Sequence, residues 1–290
     1  MTHRAWTPAS GFIYLLLSTI SSSTIPITVK IGLRNDLSPL EFIVFRMGLA
    51  AIALWSYLLC FKPQVLRIDS AGILRCVQAA MVNCVSMFCY VLALSYIDVS
   101  LSIMVYTTAY IPAVMLILMI RGEHPSWLDG FRFLLALLGI YLFIALQGQV
   151  SLTGIALILV TALFFGLHVS LIQLRLGAYN PLTVTLYIIT SMTVISSAMY
   201  LAAGYRWPHF NTETWVTMFW FAIVGTAISR LLLFAGINQA GSRQAALISP
   251  LENVLALLLA VLLLGEWLTW PQWIGASMVV VSVALGAKAK

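Results

Sequence analysis

The stretches 121–127 (RGEHPSW) and 264–270 (LGEWLTW) decide the fold of this 290-residue sequence, because they repeat one pattern in its two halves. Each contains a Gly-Glu step, followed at the same spacing by a small hydroxyl residue and a tryptophan. Two copies of one pattern, half a chain apart, predict an internal duplication. We therefore divide the chain into two repeats, 1–147 and 148–290.

Two further correspondences support this division. The register that places Gly122 on Gly265, which we call the repeat register, also places Gly11 on Gly154. With one position of slippage, Pro39 falls on Pro181. Few other residues are identical between the halves, so the case for duplication rests on agreement in spacing at four separate places.

The composition excludes a soluble globular protein. The chain is 62% hydrophobic and only 8% charged, with 15 Lys and Arg against 9 Asp and Glu, whereas soluble domains carry about 25% charged residues. So few charges cannot cover a surface that faces water. The sequence therefore predicts an all-α integral membrane protein in which the lipid bilayer is the main solvent.

Hydropathy and turn residues together predict ten transmembrane helices, five in each repeat. Each apolar run is long enough, at about 20 residues, to cross the hydrocarbon core. The predicted helices cover 11–32, 39–61, 71–95, 100–120 and 128–146 in the first repeat, and 153–174, 182–203, 214–235, 244–264 and 271–287 in the second.

The basic residues predict the orientation. With ten crossings both termini lie on one side, and the loops on that side carry most of the Lys and Arg, which marks it as cytoplasmic. The opposite side carries only Arg34 and Arg206. We expect a multi-pass protein of a bacterial inner membrane with both termini in the cytoplasm. Its basic residues are scattered singly, which argues against a nucleic-acid partner.

An odd number of helices in each repeat has a structural consequence. The second five-helix repeat must enter the membrane from the opposite side, so the two repeats are inverted relative to each other. Inverted repeats are typical of transporters, because two such halves can exchange conformations and open a shared central site to either face.

The sequence also resembles a known family. The ends of the two repeats, 121–127 and 264–270, look like the Gly-Glu step that closes each repeat in EamA-type transporters of the drug/metabolite transporter superfamily. The run 249–253 (SPLEN) resembles that family's second-repeat signature, with Asn253 where proline is common. Arg132 stands where a small residue is usual. The resemblance implies a central cavity surrounded by helices 1, 3, 4, 6, 8 and 9, and a substrate among amino acids, other metabolites, vitamins, polyamine-like compounds or drugs.

Ionisable residues within the predicted spans are candidates for function, because charges in hydrocarbon are costly. Arg230, Glu252 and His168 lie at similar depth in the cytoplasmic half of the second repeat, roughly 8 to 12 Å from the helix ends at about 1.5 Å per residue. We expect Arg230 and Glu252 to pair, and to bind a zwitterion through its carboxylate and ammonium groups. Alternatively, Arg230 extends to the headgroups and Glu252 caps a broken helix start beside Pro250.

Three other assignments leave alternatives open. His168 and Glu252 are candidates for proton coupling, since burial and neighbouring charges set whether they titrate near neutral pH, although a lone His in an apolar helix also serves as a packing residue. Lys30 either extends to the headgroups, pairs with Glu41, or binds substrate. For Arg46, which has no acid in its own helix, functional and structural roles are equally supported.

Polar aromatic residues in the first repeat predict a different part of the cavity lining. Tyr106 and Tyr110 share one helix face and suit an organic ligand, although helix packing explains such a pair equally well. Asn83 and Tyr90 share a face of the preceding helix. Candidate hinge or kink positions, with hydroxyl groups at 21–24 available to the carbonyls that a kink would free, are Pro26, Pro112 and Pro250.

For the two glutamates of the Gly-Glu steps we predict a structural role and not a role in transport chemistry. Glu123 and Glu266 each precede a Ser or Thr that can cap the next helix, so we interpret them as turn residues. The four cysteines show no metal-binding spacing, and neither a metal site nor a cofactor is predicted. No phosphate-binding loop of the G-x-x-x-x-G-K-[ST] type occurs, so ATP does not drive the protein directly.

These patterns favour a secondary active transporter that moves a small organic solute by alternating access, most plausibly an exporter of amino acids or related metabolites, with proton coupling as an option. A facilitator, or a drug or vitamin transporter of the same fold, is the first alternative. An integral-membrane enzyme is the alternative from another class, but the scattered acids and histidines lack H-E-x-x-H and G-x-S-x-G motifs, so no enzyme is predicted. We expect a monomer or homodimer.

Overall fold

A computed structural model describes residues 8–35, 37–120, 126–145, 150–205, 210–240 and 242–288. Within these ranges the regular structure is helical throughout, as the composition predicts. Its α-helices are α1 (Pro8–Ser23), α2 (Ile25–Arg34), α3 (Pro39–Phe61), α4 (Ser70–Ala93), α5 (Val99–Ile120), α6 (Trp127–Ile144), α7 (Leu152–Leu171), α8 (Pro181–Ala202), α9 (Thr212–Phe219), α10 (Ser229–Ala240), α11 (Ser242–Leu264) and α12 (Trp270–Lys288).

Seven helical stretches among the described residues are long and apolar enough to cross a membrane. They are Ser10–Arg34, Pro39–Phe61, Ser70–Ala93, Trp127–Ile144, Leu152–Leu176, Pro181–Ala202 and Thr212–Ile237. The other apolar stretches in these ranges are shorter, at Val99–Tyr110, Leu251–Leu264 and Trp270–Leu285. The chain is thus an all-α membrane protein. Each of the ten predicted segments contains helix, and the three shorter apolar stretches are parts of α5, α11 and α12.

The first predicted helix is broken where the sequence places a proline. Helix α1 ends at Ser23 and α2 begins at Ile25, so the chain is interrupted at Thr24, two residues before Pro26. The hydroxyls of 21–24 donate to carbonyls three or four residues earlier, for example Thr24 Oγ1 to Ser21 O at 2.7 Å. These bonds satisfy carbonyls at the break, as a non-helical step in a membrane requires.

Helix starts follow local sequence signals in both repeats. Ser38 and Glu41 form a capping box at the start of α3, with Pro39 in the first turn, where a missing N–H costs nothing. Asn180 caps α8, which likewise begins with a proline. The start of α6 has a second capping box, formed by residues 126 and 129.

Hydrogen bonds between the halves occur in two sets, and the repeat register converts one set into the other. Ser18 Oγ donates to Ser229 O at 2.9 Å, and Ser229 Oγ approaches Ser18 O at 3.3 Å. The register places Ser18 on Thr161 and Ser86 on Ser229. Correspondingly, Ser86 Oγ donates to Thr161 O at 3.0 Å and Thr161 Oγ1 approaches Ser86 O at 3.3 Å. The contact between Ser18 and Ser229 therefore has an equivalent, the contact between Thr161 and Ser86, in which the two halves have exchanged places. Such an exchange is what a two-fold axis between the halves produces.

Close contacts between helices of the two halves are related by the repeat register in the same way. A Cβ on Gly11 would lie 2.8 Å from Ala240 N, and one on Gly154 would lie 2.5 Å from the Ile97 side chain. The repeat register places Ile97 on Ala240. Helices α6 and α12, the last of each half, approach so closely that a Cβ on Gly139 would lie 2.6 Å from a backbone oxygen of α12. Small residues permit such contacts between membrane helices, and the contacts confirm the internal duplication.

Candidate functional site

A cavity of ≈ 510 Å³ lies between the two halves. Its walls come from both repeats, including α1, α2, α3, α4 and α5 of the first and α7, α8, α10 and α11 of the second. At one end the lining includes residues 176–181, the connection from α7 to α8, and we call this the open end. Toward the other end it reaches Tyr90 and Ile103.

Beyond Tyr90 two charged side chains bind helix ends: Glu266 joins the two halves, and Lys30 joins α2 to the end of α4 within the first half. Glu266 accepts hydrogen bonds from Val99 N at 2.8 Å and Ser100 N at 2.9 Å, the first amides of α5. Lys30 Nζ donates to Leu94 O at 2.7 Å and to Ile97 O at 2.8 Å, carbonyls that follow the end of α4. We call this region, Lys30, 94–100 and Glu266, the closed end; it lies one α4 length, about 36 Å, from the open end.

These contacts correct two sequence interpretations. Glu266 lies in the turn after α11, as predicted, but its side chain has a role that the sequence did not indicate: its carboxylate accepts from the first amides of a helix from the other half, which lack partners within that helix. Gly265 supports this geometry, since its φ of 70° reverses the chain after α11. Lys30 does not pair with Glu41, whose carboxylate accepts from Ser38 N at 2.9 Å instead. Glu123 lies outside the described residues.

Three charged residues of the described ranges line the cavity: Arg230 from α10, Glu252 from α11 and Arg46 from α3. The Glu252 carboxylate interacts with the Ser22 hydroxyl and with the charge of Arg230. Among the described residues, however, the ion pairs within 4 Å include only Asp129 with Arg132. The direct pair of Arg230 and Glu252 that the sequence predicts is therefore not formed, although both side chains line the same cavity.

Arg46 is held by three contacts that the sequence did not reveal. Its Nε donates to Thr226 Oγ1 at 3.2 Å, Nη1 approaches Met87 Sδ at 3.6 Å, and the guanidinium carbon lies 4.0 Å from the centre of the Phe221 ring. Thr226 and Phe221 belong to a π-helical segment, 220–228. Such segments are frequent at functional sites.

The predicted polar aromatic lining is present in part. Asn83, Tyr90 and Tyr106 line the cavity, and the Tyr90 and Tyr106 rings meet at 6.4 Å between their centroids. Asn83 Nδ2 donates to Met192 Sδ at 3.4 Å. Tyr110 does not appear in the lining; it stacks on Tyr106 at 6.1 Å and supports that ring from behind.

His168 lies in the cavity wall with its ring fixed by the backbone. Its Nδ1 is 2.9 Å from Ala79 O, and since a carbonyl only accepts, Nδ1 carries a hydrogen. That leaves Nε2 as the nitrogen able to exchange a proton. The ring also contacts Phe165, another cavity residue that hydropathy alone did not single out.

The three candidate prolines differ in their surroundings. Pro26 lines the cavity beside the break between α1 and α2. Pro112 lies within a continuous α5 and lines a separate apolar groove between α5, α6 and α7. Helix α11 runs past position 250, so the broken start predicted for this helix is not observed, and the Pro250 side chain lies outside the described residues.

At the open end a tyrosine and an aspartate are joined outside the membrane spans. Tyr179, which lines the cavity, donates from its hydroxyl to Asp69 Oδ1 at 2.7 Å. This hydrogen bond favours the ionised carboxylate and lowers the pKa of Asp69, while it raises the pKa of Tyr179. The contact links the α7–α8 connection to the start of α4. Among the described residues, no group of three His, Cys, Asp or Glu could hold a metal ion.

Comparisons with known proteins agree with this architecture. The sequence profile of the EamA-like transporter family matches residues 9–145 and again 152–286. Among curated proteins none matched significantly. A solved structure described as "Crystal structure of protein" is similar over 96% of this chain and 96% of its own, with a TM-score of 0.67 and 14% sequence identity. That identity supports a shared fold alone.

Proposed function

This chain belongs to the EamA-like transporter family, and we propose that it moves an amino acid or a related metabolite across a bacterial inner membrane by alternating access. The observation that carries the proposal is the cavity between the halves, which reaches residues 176–181 at one end and ends before the Glu266 and Lys30 contacts at the other. A central site accessible from one side is one state of an alternating-access cycle.

In this proposal the chain crosses the membrane ten times as two inverted five-helix repeats, 1–147 and 148–290, with both termini in the cytoplasm. The equivalent contacts Ser18–Ser229 and Thr161–Ser86 support it, because they indicate a two-fold axis between the repeats. When each repeat has an odd number of helices, this axis lies in the membrane plane and the repeats are inverted. The open end then faces the cytoplasm, as an exporter loading its solute requires.

The charged groups suit a zwitterionic ligand. Arg230 binds the carboxylate of the solute through its planar guanidinium, and Glu252 binds the ammonium group. Because these two described side chains form no ion pair with each other, a solute that binds them does not have to break such a pair. Tyr90, Tyr106 and Asn83 provide apolar surface and polar tips around the same volume.

Proton coupling is part of the proposal through Glu252 and His168, which both line the cavity. A carboxylate that releases its proton only when the cavity faces one side couples solute movement to the proton gradient. A facilitator needs no such residue and only equilibrates the solute.

Exchange of labelled amino acids by the purified protein in vesicles, with and without an imposed pH gradient, tests the proposal. We expect Glu252→Gln and Arg230→Ala to abolish exchange without loss of membrane insertion. Glu213→Gln and Arg67→Ala, on exposed residues outside the cavity, are matched controls that retain activity. Full activity in both cavity variants would remove these residues from the site. Accumulation driven by the pH gradient identifies coupling, equilibration alone identifies a facilitator, and no exchange of any amino acid contradicts the solute class.

A further inference from the structure

The central cavity contains more positive charge than a zwitterion needs. Its charged lining residues, within the ranges that the structure describes, are two arginines, Arg46 and Arg230, and one acid, Glu252. In the same ranges no carboxylate forms an ion pair with Arg46. A guanidinium in a membrane-protein interior without a counter-charge is costly, so its retention requires either internal hydrogen bonds or an anionic ligand.

The internal contacts of Arg46 fix its position but do not neutralise it. Of five N–H donors, the contacts among described residues engage Nε with Thr226 and one Nη1 hydrogen with the weakly accepting sulfur of Met87. The Phe221 ring covers one flat face of the guanidinium. The remaining donors are on the side chain's terminal nitrogens, which stay available to the cavity that Arg46 lines.

Arg46 and the proposed zwitterion site belong to one continuous space. Tyr90 and Tyr106 line the same cavity as Arg46, Arg230 and Glu252. Its volume of ≈ 510 Å³ lies in the range of pockets that enclose one small molecule. A single solute in this space can therefore face both arginines and the acid.

We propose that Arg46 binds a second acidic group of the solute, so that the substrate class is amino acids with an acidic side chain. The inference rests on the proposed function, in which Arg230 and Glu252 hold the carboxylate and ammonium groups common to all amino acids. The solute then supplies two negative charges and one positive charge, which complement the two arginines and the glutamate. A carboxylate or a phosphate can be the second acid, because a guanidinium fork binds either with two parallel hydrogen bonds.

The test is selectivity in the same vesicle exchange assay, with L-glutamate, L-glutamine, L-leucine and L-phosphoserine as labelled solutes. We expect the wild-type protein to exchange glutamate or phosphoserine about 10- to 100-fold better than glutamine, since a hydrogen-bonded charge recognises its partner on that scale. Preference between glutamate and phosphoserine identifies the second acid as a carboxylate or a phosphate.

Arg46→Gln should remove this selectivity, lowering exchange of the acidic solutes about 10- to 100-fold while glutamine exchange stays within about threefold. Arg46→Lys should retain part of the preference, because it keeps the charge without the fork. Arg67→Gln, a matched change on an exposed arginine outside the cavity, should leave selectivity unchanged.

Two results would overturn the inference and leave the proposed function standing: a wild-type protein that exchanges glutamine or leucine as well as glutamate, or an Arg46→Gln variant that loses all solutes equally. The wild-type selectivity decides the question even if Arg46→Gln fails to fold. Failure to exchange any of the four amino acids would contradict the proposed function, and the inference with it.

Discussion

The closed end and the cavity use charged residues in opposite ways. At the closed end, Glu266 and Lys30 bind backbone amides and carbonyls at the ends of helices α4 and α5, with all four distances between 2.7 and 2.9 Å. In the cavity, Arg230 and Glu252 face the same space, and the described ion pairs do not join them. The same residue types therefore complete helix ends in one region and remain available in the other.

This difference separates residues that hold a conformation from residues that await a ligand. A buried charge whose hydrogen bonds are complete within the protein stabilises the state that contains them. A buried charge without a complete set of partners costs free energy until a ligand supplies one. The distribution of partners thus indicates function more directly than burial does.

Among the variants that test this difference, Glu266→Ala should have the largest effect on the stability of the closed end. It leaves the amides of Val99 and Ser100, both buried, without their charged acceptor, which costs about 2–4 kcal/mol and destabilises the closed end. Labelling of an Ile103→Cys reporter by an impermeant thiol reagent from the face opposite the termini should rise by about tenfold or more, with the four native cysteines replaced by alanine.

Glu266→Gln should show a smaller rise, because an amide oxygen still accepts hydrogen bonds. Glu213→Ala, an exposed acid in the first turn of α9, should leave labelling unchanged. Equal labelling in Glu266→Ala and the parent protein would mean that this carboxylate does not hold the two halves together.

Lys30→Met should also destabilise the closed end, but by less than Glu266→Ala does. It keeps the apolar stem but removes the donor to two carbonyls, with an expected cost of about 1–2 kcal/mol. The same Ile103→Cys labelling measures it, and Lys62→Met, at an exposed position, is the control. A decrease in labelling would show that Lys30 favours the opposite conformation.

Tyr179→Phe at the open end should have the smallest effect. Asp69 is exposed and Tyr179 is half-buried, and the variant keeps the aromatic ring that lines the cavity, so transport at neutral pH should be unchanged. Because the hydrogen bond lowers the pKa of Asp69 below 3.8, the stabilisation is present above that value and is lost as pH falls through the folded-state pKa. Carbon NMR of labelled aspartate should show the Asp69 pKa rising in the variant; an unchanged pKa would exclude the hydrogen bond in solution.

The fold was largely predictable because membrane solvation leaves strong local signals. Hydrophobic runs located the helices, and four spacings revealed the duplication that the Gly11 and Gly154 contacts confirm. The break near Pro26 was predicted as well. Helix ends were less predictable: the predicted helix 11–32 begins at Pro8, as α1, and ends at Arg34, as α2, because hydropathy does not fix where a helix ends.

The candidate site was predictable only in its simplest terms. Depth along a helix placed Arg230, Glu252 and His168 in one layer, and all three line the cavity, since charges in hydrocarbon converge on polar space. Depth could not give rotation or distance, so the predicted Arg230–Glu252 pair is not formed in the described structure. The partners of Arg46 were invisible to sequence reasoning, because Thr226 and Phe221 lie in a π-helical segment of the other half of the chain.

By itself the sequence determined that this chain is a membrane protein, that it is helical, and that it consists of two repeats of one structural unit. Each of these properties follows from local hydrophobicity and repeated spacing. Only the tertiary structure decided which charges bind within the protein and which remain available to a ligand. Glu266 has the local signature of a turn residue, yet it completes a helix of the other half by accepting from Ser100 N. A hydrogen bond depends on where two atoms meet in space, and that position is set by the packing of all the helices together.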